Sequence, residues 1–310
     1  VSITAVGSIA YDRISTPYDR DVINLGGSAT YFSLAASFFS RVHLVGVIGE
    51  DFRSEDRNLL QQRDIDLEGL QTQKGATFFY HGEYTKDWNT RLTHDTQLNV
   101  FADFDPILPD HYLENPFLFL GNIQPSLQQR VMDQFERKAK SPFVILDTMN
   151  LWIDSAQEDL RRLLKRVDLL MINDSEAMQL TSEHRLVDIL LALKACGPRW
   201  ICLKKGEHGC LLTDGQSFFL APADPTIFVV DPTGAGDAFA GGLTGFLAKY
   251  ASQHLSWHHL KQAVICGSIM GGLTVNAFGV QALAELTDAS FSRKWQFFHT
   301  ITSFPSEPSH

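Results

Sequence analysis

Val229-Val230-Asp231-Pro232-Thr233-Gly234-Ala235-Gly236-Asp237-Ala238-Phe239-Ala240-Gly241-Gly242 reads as a strand running into a tight glycine-bearing turn and then into a helix whose first turn holds Asp237. The first N–H groups of a helix have no intrahelical partner and lie at the positive end of its dipole. Gly234 and Gly236 let the backbone come close to a ligand and take positive φ. The turn is therefore suited to hold phosphate oxygens, and a carboxylate beside it can take a proton from an attacking hydroxyl. Positioning, charge stabilisation and a base are what phosphoryl transfer needs. A G-x-G turn alone is weak, because it also serves as an ordinary helix start whose acid complements the dipole. Two common nucleotide loops are excluded. A dinucleotide fingerprint wants G-x-G-x-x-G after the first strand, whereas this turn comes late and continues as G-x-G-D-x-F. A G-x-x-x-x-G-K-[ST] loop is absent.

Outward from this stretch, short β-branched runs alternate with helical ones. Ser2–Val6, His43–Ile48, Phe117–Leu120, Phe143–Asp147, Leu169–Ile172 and Trp200–Lys204 are apolar runs of strand length. They have the character of buried parallel strands. Helices are expected over Ala29–Ser40, Ser126–Lys140 (with Ser126 as a candidate N-cap), Ser155–Lys165, Arg185–Ala195, Ala235–Tyr250, Ser256–Asn276 and Asp288–Phe298. The alternation predicts an α/β domain: a mostly parallel sheet covered by helices on both faces. Residues 1–15 read as a short strand plus loop. Ser15–Leu25 and Lys74–Phe101 are polar, aromatic and turn-rich and break the alternation. Both are expected to be strands of a small accessory β-sheet, a lid, inserted into a single domain spanning residues 1–310; lids of this kind exclude water from a substrate.

The 310 residues carry 44% hydrophobic and 20% charged side chains, an ordinary globular composition. With 36 Asp+Glu against 26 Lys+Arg the formal charge is −10. That balance argues against a phosphate-backbone binder, so no nucleic-acid partner is expected. No run approaches the roughly 20 apolar residues of a membrane span, and the first segment lacks the pattern of a signal peptide. Cys196, Cys202, Cys210 and Cys266 form no C-x-x-C pair and no zinc spacing. They read as reduced thiols, and the expected location is the cytoplasm.

Three further stretches accompany the late turn: Asn24-Leu25-Gly26-Gly27-Ser28-Ala29, Asn173-Asp174-Ser175-Glu176, and Leu203-Lys204-Lys205-Gly206-Glu207-His208-Gly209. Together with DPTGAGDAFAGG, and in this order, they resemble the signatures of the ribokinase-like, PfkB-type carbohydrate and nucleoside kinases from about residue 3 to residue 285. The resemblance implies the three-layer ribokinase-like fold. It implies transfer of the γ-phosphoryl group of ATP, with Mg2+, to a hydroxyl of a sugar, nucleoside or cyclitol. Asp237 matches the catalytic base, and Gly234, Ala235 and Gly236 match the anion hole. Asn173 and Glu176 match residues that organise Mg2+, usually through water; on their own they also read as a capping box. Lys204, Gly206 and Gly209 match the nucleotide turn, which equally suits a β-hairpin. Gly267–Gly272, with Ser268, matches the helix beside the adenine, although its small residues would also permit close helix packing. Asp12, Gly26, Gly27 and Asn122 match acceptor-binding positions, with Asp12 assigned to the first-strand position. Asp231 and Thr233 match positions associated with a monovalent cation such as K+.

The departures carry information. Tyr31 stands where many members have Asn. Asp147-Thr148-Met149-Asn150-Leu151-Trp152 places Trp152 near the Arg of the D-x-N-x-R pattern found in phosphosugar kinases. A phosphate on the acceptor would need such a cation, so an unphosphorylated polyol is expected, although Lys86 or Arg91 of the lid could substitute. Lid aromatics Phe78, Phe79, Tyr80, Tyr84 and Trp88 suit a ring-bearing acceptor or the lid's own core. Two lids pairing edge to edge would give a homodimer. A rival function, a non-catalytic nucleotide- or sugar-binding regulator, is disfavoured by the intact Gly234–Gly236 turn and Asp237.

Overall fold

Side chains along each central strand alternate between two separate apolar layers. Phe117 and Phe119 enter one core while Leu118 and Leu120 enter the other, and Leu169 and Met171 part in the same way from Leu170 and Ile172. A sheet apolar on both faces must be covered on both, which makes three layers. The computed structural model describes residues 1–88, 90–225, 228–251 and 254–303.

In chain order, β1 (Ile3–Val6) is followed by β2 (Ala10–Ser15), β3 (Val22–Gly26), α1 (Ser28–Ser37), β4 (Val42–Ile48), α2 (Ser54–Gln62), β5 (Ile65–Asp66) and β6 (Leu70–Thr72). Next come β7 (Phe78–Tyr84), β8 (Arg91–Gln97), β9 (Phe117–Leu120), α3 (Pro125–Arg137), β10 (Phe143–Asp147), α4 (Asn150–Ser155), α5 (Gln157–Leu164), β11 (Leu169–Asn173) and α6 (Asp174–Thr181). The remainder is α7 (Leu186–Ala195), β12 (Trp200–Lys204), β13 (Cys210–Thr213), β14 (Phe218–Ala221), α8 (Ala235–Tyr250), α9 (Trp257–Thr274), α10 (Gln281–Ala284) and α11 (Asp288–Thr302).

The main sheet has the order β14-β13-β12-β11-β10-β9-β1-β4-β5, with β6 also beside β4; it is parallel except where β13 and β14 turn back. One face packs α1, α8 and α9, and the other packs α3, α5, α6 and α7. Phe32 of α1 stacks on Phe119 with ring centroids 3.8 Å apart. Helix α8 runs through the first core with its residues from Ala238 to Ala248 all buried.

The small sheet has the order β3-β2-β7-β8. It is mixed, since β2 runs parallel to β7 while the other pairs are antiparallel. It therefore starts earlier than the sequence suggested: Ala10–Ser15 is a paired strand, not a loop, held by β3 on one side and β7 on the other. Asp51 anchors its second half, accepting from both the N–H and the hydroxyl of Thr77 at 2.7 Å. Asn89, within the second lid stretch, lies outside the described residues.

One strand and two helix expectations need correction. Val229 and Val230, read as a strand leading into the turn, are irregular; the N–H of Val230 donates to Val275 O at 2.7 Å, beyond the end of α9, instead of joining a sheet. Ser126 is not the N-cap of α3: Pro125 occupies the first turn, where its missing N–H costs nothing, and Gln124 precedes it. Ser155–Lys165 is not one helix. The chain breaks at Ala156, φ −142°, and Asn150–Ser155 forms the separate short α4. Among the described residues no helix is long and apolar enough to cross a membrane.

Candidate active site

Parallel strands deliver their last residues to one edge, and β10, β11 and β12 end on Asp147, Asn173 and Lys204. Asn173 and Lys204 are register partners. Clefts at the carboxyl ends of such sheets are the usual ligand sites of α/β folds. The Lys204 ammonium bonds both Asp147 oxygens, at 3.0 and 2.8 Å. Burial works against its charge, but Asp147, Glu176 and Asp237 outweigh that and hold its pKa above the ordinary lysine value.

The N-terminus of α8 arrives above this pair. Gly234 caps the helix at φ 76°, a conformation suited to glycine. A Cβ on Gly236 would stand 3.2 Å from Lys204 Nζ, so the ammonium lies directly beneath the turn. The N–H of Ala235 turns to Pro232 O at 3.3 Å, and that of Ala238 closes on Gly234 O at 2.8 Å. Between them, Gly236 and Asp237 carry first-turn N–H groups that the helix itself leaves unpaired. Asp237 is half-buried at this point. Burial, and then the charge of Asp147, push its carboxyl up to about 7 against the pull of Lys204. A carboxyl poised there is matched to general-base work near neutrality.

Asn173 and Glu176 form the capping box of α6. Asn173 Oδ1 accepts from Glu176 N at 2.8 Å, and Glu176 Oε2 accepts from Asn173 N at 3.0 Å. Glu176 is buried, which lifts its pKa to about 7 although Lys204 opposes. Gly206 and Gly209 lie in the β12–β13 turn, where Lys205 N donates to Gly209 O at 2.8 Å. Gly206 faces open space, whereas Gly209 packs on the backbone of Ala221. Ser268 is buried inside α9, and Gly267 and Gly271 give close packing against Phe239 and Ala235 of α8.

A second cluster assembles at the lid's base, where the sequence resemblance put the acceptor. Asp12 stands on β2, not on the first strand, opposite Asn24 of β3. It is buried and its pKa is lifted to about 7, by burial first and Asp231 second, while a hydrogen bond from Gly27 N–H opposes. A Cβ on Gly26 would fall inside the Asp12 carboxylate, so glycine is required for this approach. Gly27 caps α1. Tyr84 and Arg91 are cross-strand partners. Tyr84 Oη also lies 3.5 Å from Thr233 Oγ1, which ties the lid to the residue before the turn. Arg91 also lies over the Tyr80 ring, 5.4 Å from its centroid. Asp231 is 1% exposed and takes Thr233 N at 2.9 Å and Gly279 N at 3.3 Å; burial raises its pKa.

Sequence reasoning missed the Asp147 partner of Lys204, because a pairing between residues 57 apart leaves no local pattern. It also missed the role of Trp152, whose indole Nε1 donates to Asn122 Oδ1 at 2.7 Å. The signal available was Trp152 at the position of a departure.

Residues 2–287 match the family described as pfkB family carbohydrate kinase. A cytidine kinase of Thermococcus kodakarensis is 28% identical over 258 residues, covering 81% of this chain and 89% of that protein. The adenosine kinase structure from Sinorhizobium meliloti superposes with TM-score 0.78 at 16% identity, covering 95% of this chain and 99% of that one. Aminoimidazole riboside kinase from Salmonella enterica, complexed with aminoimidazole riboside and an ATP analog, gives TM-score 0.75 at 18% identity and covers 96% and 100%.

Proposed function

The chain belongs to the pfkB family of carbohydrate kinases, phosphotransferases with hydroxyl acceptors, and from that premise we propose that it phosphorylates an uncharged small polyol with ATP. The observation that carries this reading is Asp237 in the first turn of α8, with the Lys204 ammonium beneath Gly236. In the reaction the acceptor O–H gives its proton to the Asp237 carboxylate. The oxygen forms a bond to the γ-phosphorus while the bond to the β–γ bridging oxygen breaks and ADP leaves. The first-turn N–H groups and Lys204 face the charge that gathers on the transferring group. The Asp147–Lys204 pair keeps that ammonium fixed in place.

The donor set fits magnesium. Asp147, Glu176 and Asp237 oppose one ammonium, so a triphosphate would add charge to a site already short of cations, and carboxylate oxygens are the ligands Mg2+ takes. Glu176 would hold it, through water, and bound Mg2+ would neutralise phosphate oxygens. Asp231 is a buried carboxylate met by backbone N–H donors rather than a cation, which suits a monovalent ion.

For the acceptor, a nucleoside is the favoured class. The lid joins hydroxyl readers, Asp12 and Asn24, to the rings of Tyr80 and Tyr84, and the relative of highest identity described above is a cytidine kinase. Trp152 is committed to Asn122, and Arg91 lies over the Tyr80 ring, which supports an acceptor without phosphate. Strand β8 is exposed along its length with Leu92 in solvent, which supports lid-to-lid pairing of two copies, testable by sedimentation. The deciding experiment is ATP consumption with cytidine, adenosine, D-ribose, D-fructose and myo-inositol, each beside its monophosphate. Turnover of a nucleoside above the others is expected; preference for a monophosphate would reverse the acceptor reading.

A further inference from the structure

The edge of the main sheet opposite the catalytic floor gathers its own set of ionisable side chains. Asp147, Asn173 and Lys204 end their strands, whereas His43 is the second residue of β4. In the parallel pairing of β4 with β5, His43 and Asp66 are register partners. The short 3-10 turn Asp110–Glu114 brings in His111, whose ring centroid lies 5.4 Å from that of His43. One ligand atom from each of His43, Asp66 and His111 lies within 4.8 Å of the other two. Among the described residues this is the one such group gathered closely enough to ligate an ion directly.

Neighbouring groups hold two of the three in place. His43 is buried and stacks on Tyr112, with ring centroids 4.4 Å apart. Tyr112 Oη donates to Asp66 Oδ1 at 2.7 Å and accepts from Gly69 N at 3.1 Å. Glu68 N donates to the same Asp66 oxygen at 2.9 Å, and Arg41 donates to Oδ2 at 3.0 Å. A carboxylate offers about four lone-pair positions, so these three donors leave one for a cation. Glu68 Oε2 stands 4.0 Å from His111 Nε2, within reach as a further ligand. An open hollow of about 410 Å³, lined by Arg41, Arg57, Asp66 and Glu68, gives an ion its entry path.

We propose that His43, Asp66 and His111 form a structural site for a divalent first-row transition ion of the Zn2+ type, remote from phosphoryl transfer. Two imidazoles and one carboxylate suit such an ion, whereas Mg2+ takes oxygen ligands. Bonds of about 2.0–2.2 Å to one ion hold two donors within about 4.4 Å of each other. The exposed His111 can supply the small closure that this requires. His43 Nδ1 meets the Asn115 amide at 2.8 Å, which leaves Nε2 for the ion. A histidine that ligates through Nε2 keeps its proton on Nδ1 and donates it to an oxygen. Asn115 can offer that oxygen by a half-turn of its amide. The Thr4 hydroxyl, 2.8 Å from the same amide, would then donate to it, and Tyr112 O would keep the Asn115 N–H. The His43 proton thus passes from Nε2 to Nδ1 with no change of charge. Water or Glu68 would fill the fourth position. The ion would tie β4 and the 110–114 turn to β5, a strand of only two residues.

The test uses the full chain stripped with chelator and kept in excess Mg2+, so that carboxylate sites on the catalytic floor are already served. Co2+ should bind at one equivalent, with the visible absorption of a nitrogen- and oxygen-ligated ion, and Zn2+ should displace it. Zn2+ should raise the melting temperature by several degrees; further Mg2+ should not. His111→Ala changes an exposed side chain and leaves the buried contacts of Tyr112 intact. It should weaken Zn2+ binding by about tenfold or more and abolish the thermal rise. Asp66→Asn should weaken binding likewise. Equal Zn2+ affinity in wild type and His111→Ala would overturn the proposal, as would a thermal rise matched by Mg2+. Uptake that persists in His111→Ala but disappears in His81→Ala would place the ion on the lid, where the His81 and His94 rings lie 4.9 Å apart. Uptake lost only in Asp237→Asn would place it on the catalytic floor. Either result removes the site from His43, Asp66 and His111.

Discussion

The floor of the cleft and the lid above it are built by opposite means. On the floor, backbone does the placing. Three parallel strands end together, a glycine turn presents first-turn N–H groups, and one ion pair, Asp147–Lys204, braces the turn from below. In the lid, side chains do the placing: Asp12, Asn24, Tyr80, Tyr84 and Arg91 come from four strands whose register decides which of them meet. On the function proposed above, the floor would perform a reaction that does not vary with the acceptor, and the lid would face the part of the acceptor that does vary. Chemistry would then be held by the backbone-built layer, and choice by the layer whose outer strand is open to solvent.

The strongest way to break this division is at the base. Asp237→Asn should lower kcat by about 10²–10⁴-fold, the usual contribution of a general base, and leave nucleotide affinity within about twofold. Single-turnover assays with the best acceptor, beside nucleotide titration, check it. Turnover near wild type would take Asp237 out of the chemistry and dissolve the contrast between floor and lid.

This division also explains what could be read in the sequence. The turn residues Gly234–Asp237, the six parallel strands β1, β4, β9, β10, β11 and β12 and the Asn173–Glu176 box are local patterns, and the structure places each within an element of matching type, whereas the short β5 and β6 and the returning β13 and β14 were not read. The lid was legible only as a break in the α/β alternation. Its strand β2 was missed because residues 10–15 find partners in β3 and β7, the latter more than sixty residues away. The Lys204–Asp147 pair and the Tyr31–Gly234 contact were hidden for the same reason: each joins segments remote in sequence.

The brace beneath the turn gives the next largest effect. Lys204→Met leaves the Asp147 carboxylate buried without its partner, and breaking a buried pair in this way costs about 3–5 kcal/mol. Adding Asp147→Leu should recover much of that stability in denaturant unfolding while kcat stays low. Recovery of activity along with stability would mean that the pair is structural only.

On the acceptor side, Gly26→Ala puts a methyl group where the Asp12 carboxylate now lies. Acceptor KM should rise about 10- to 100-fold through loss of charged hydrogen bonds, with kcat and nucleotide affinity nearly held. A matching fall in kcat would mean that Asp12 belongs to the chemistry of the floor rather than to acceptor choice.

The smallest expected effect is on stability, and it spans both regions. Asp12, Glu176 and Asp237 each have a folded pKa lifted to about 7 by burial, against about 4 in an unfolded chain. Between those values the folded protein holds protons that the unfolded chain has released. The stability these three groups contribute is therefore fully present below about pH 4, declines as pH rises, and levels off above about pH 7. Asp237→Asn removes one of the three groups. The variant, without nucleotide or Mg2+, should lose less melting temperature than wild type between pH 5 and pH 8, a difference on the order of a few degrees. Added Mg2+ should shrink the wild-type loss, because a cation near the carboxylates favours their ionised form. An Asp237→Asn offset that stays constant across this range would show that the Asp237 carboxyl titrates as an ordinary one. The crowding of acids on the floor would then be relieved by a partner that the described residues do not include.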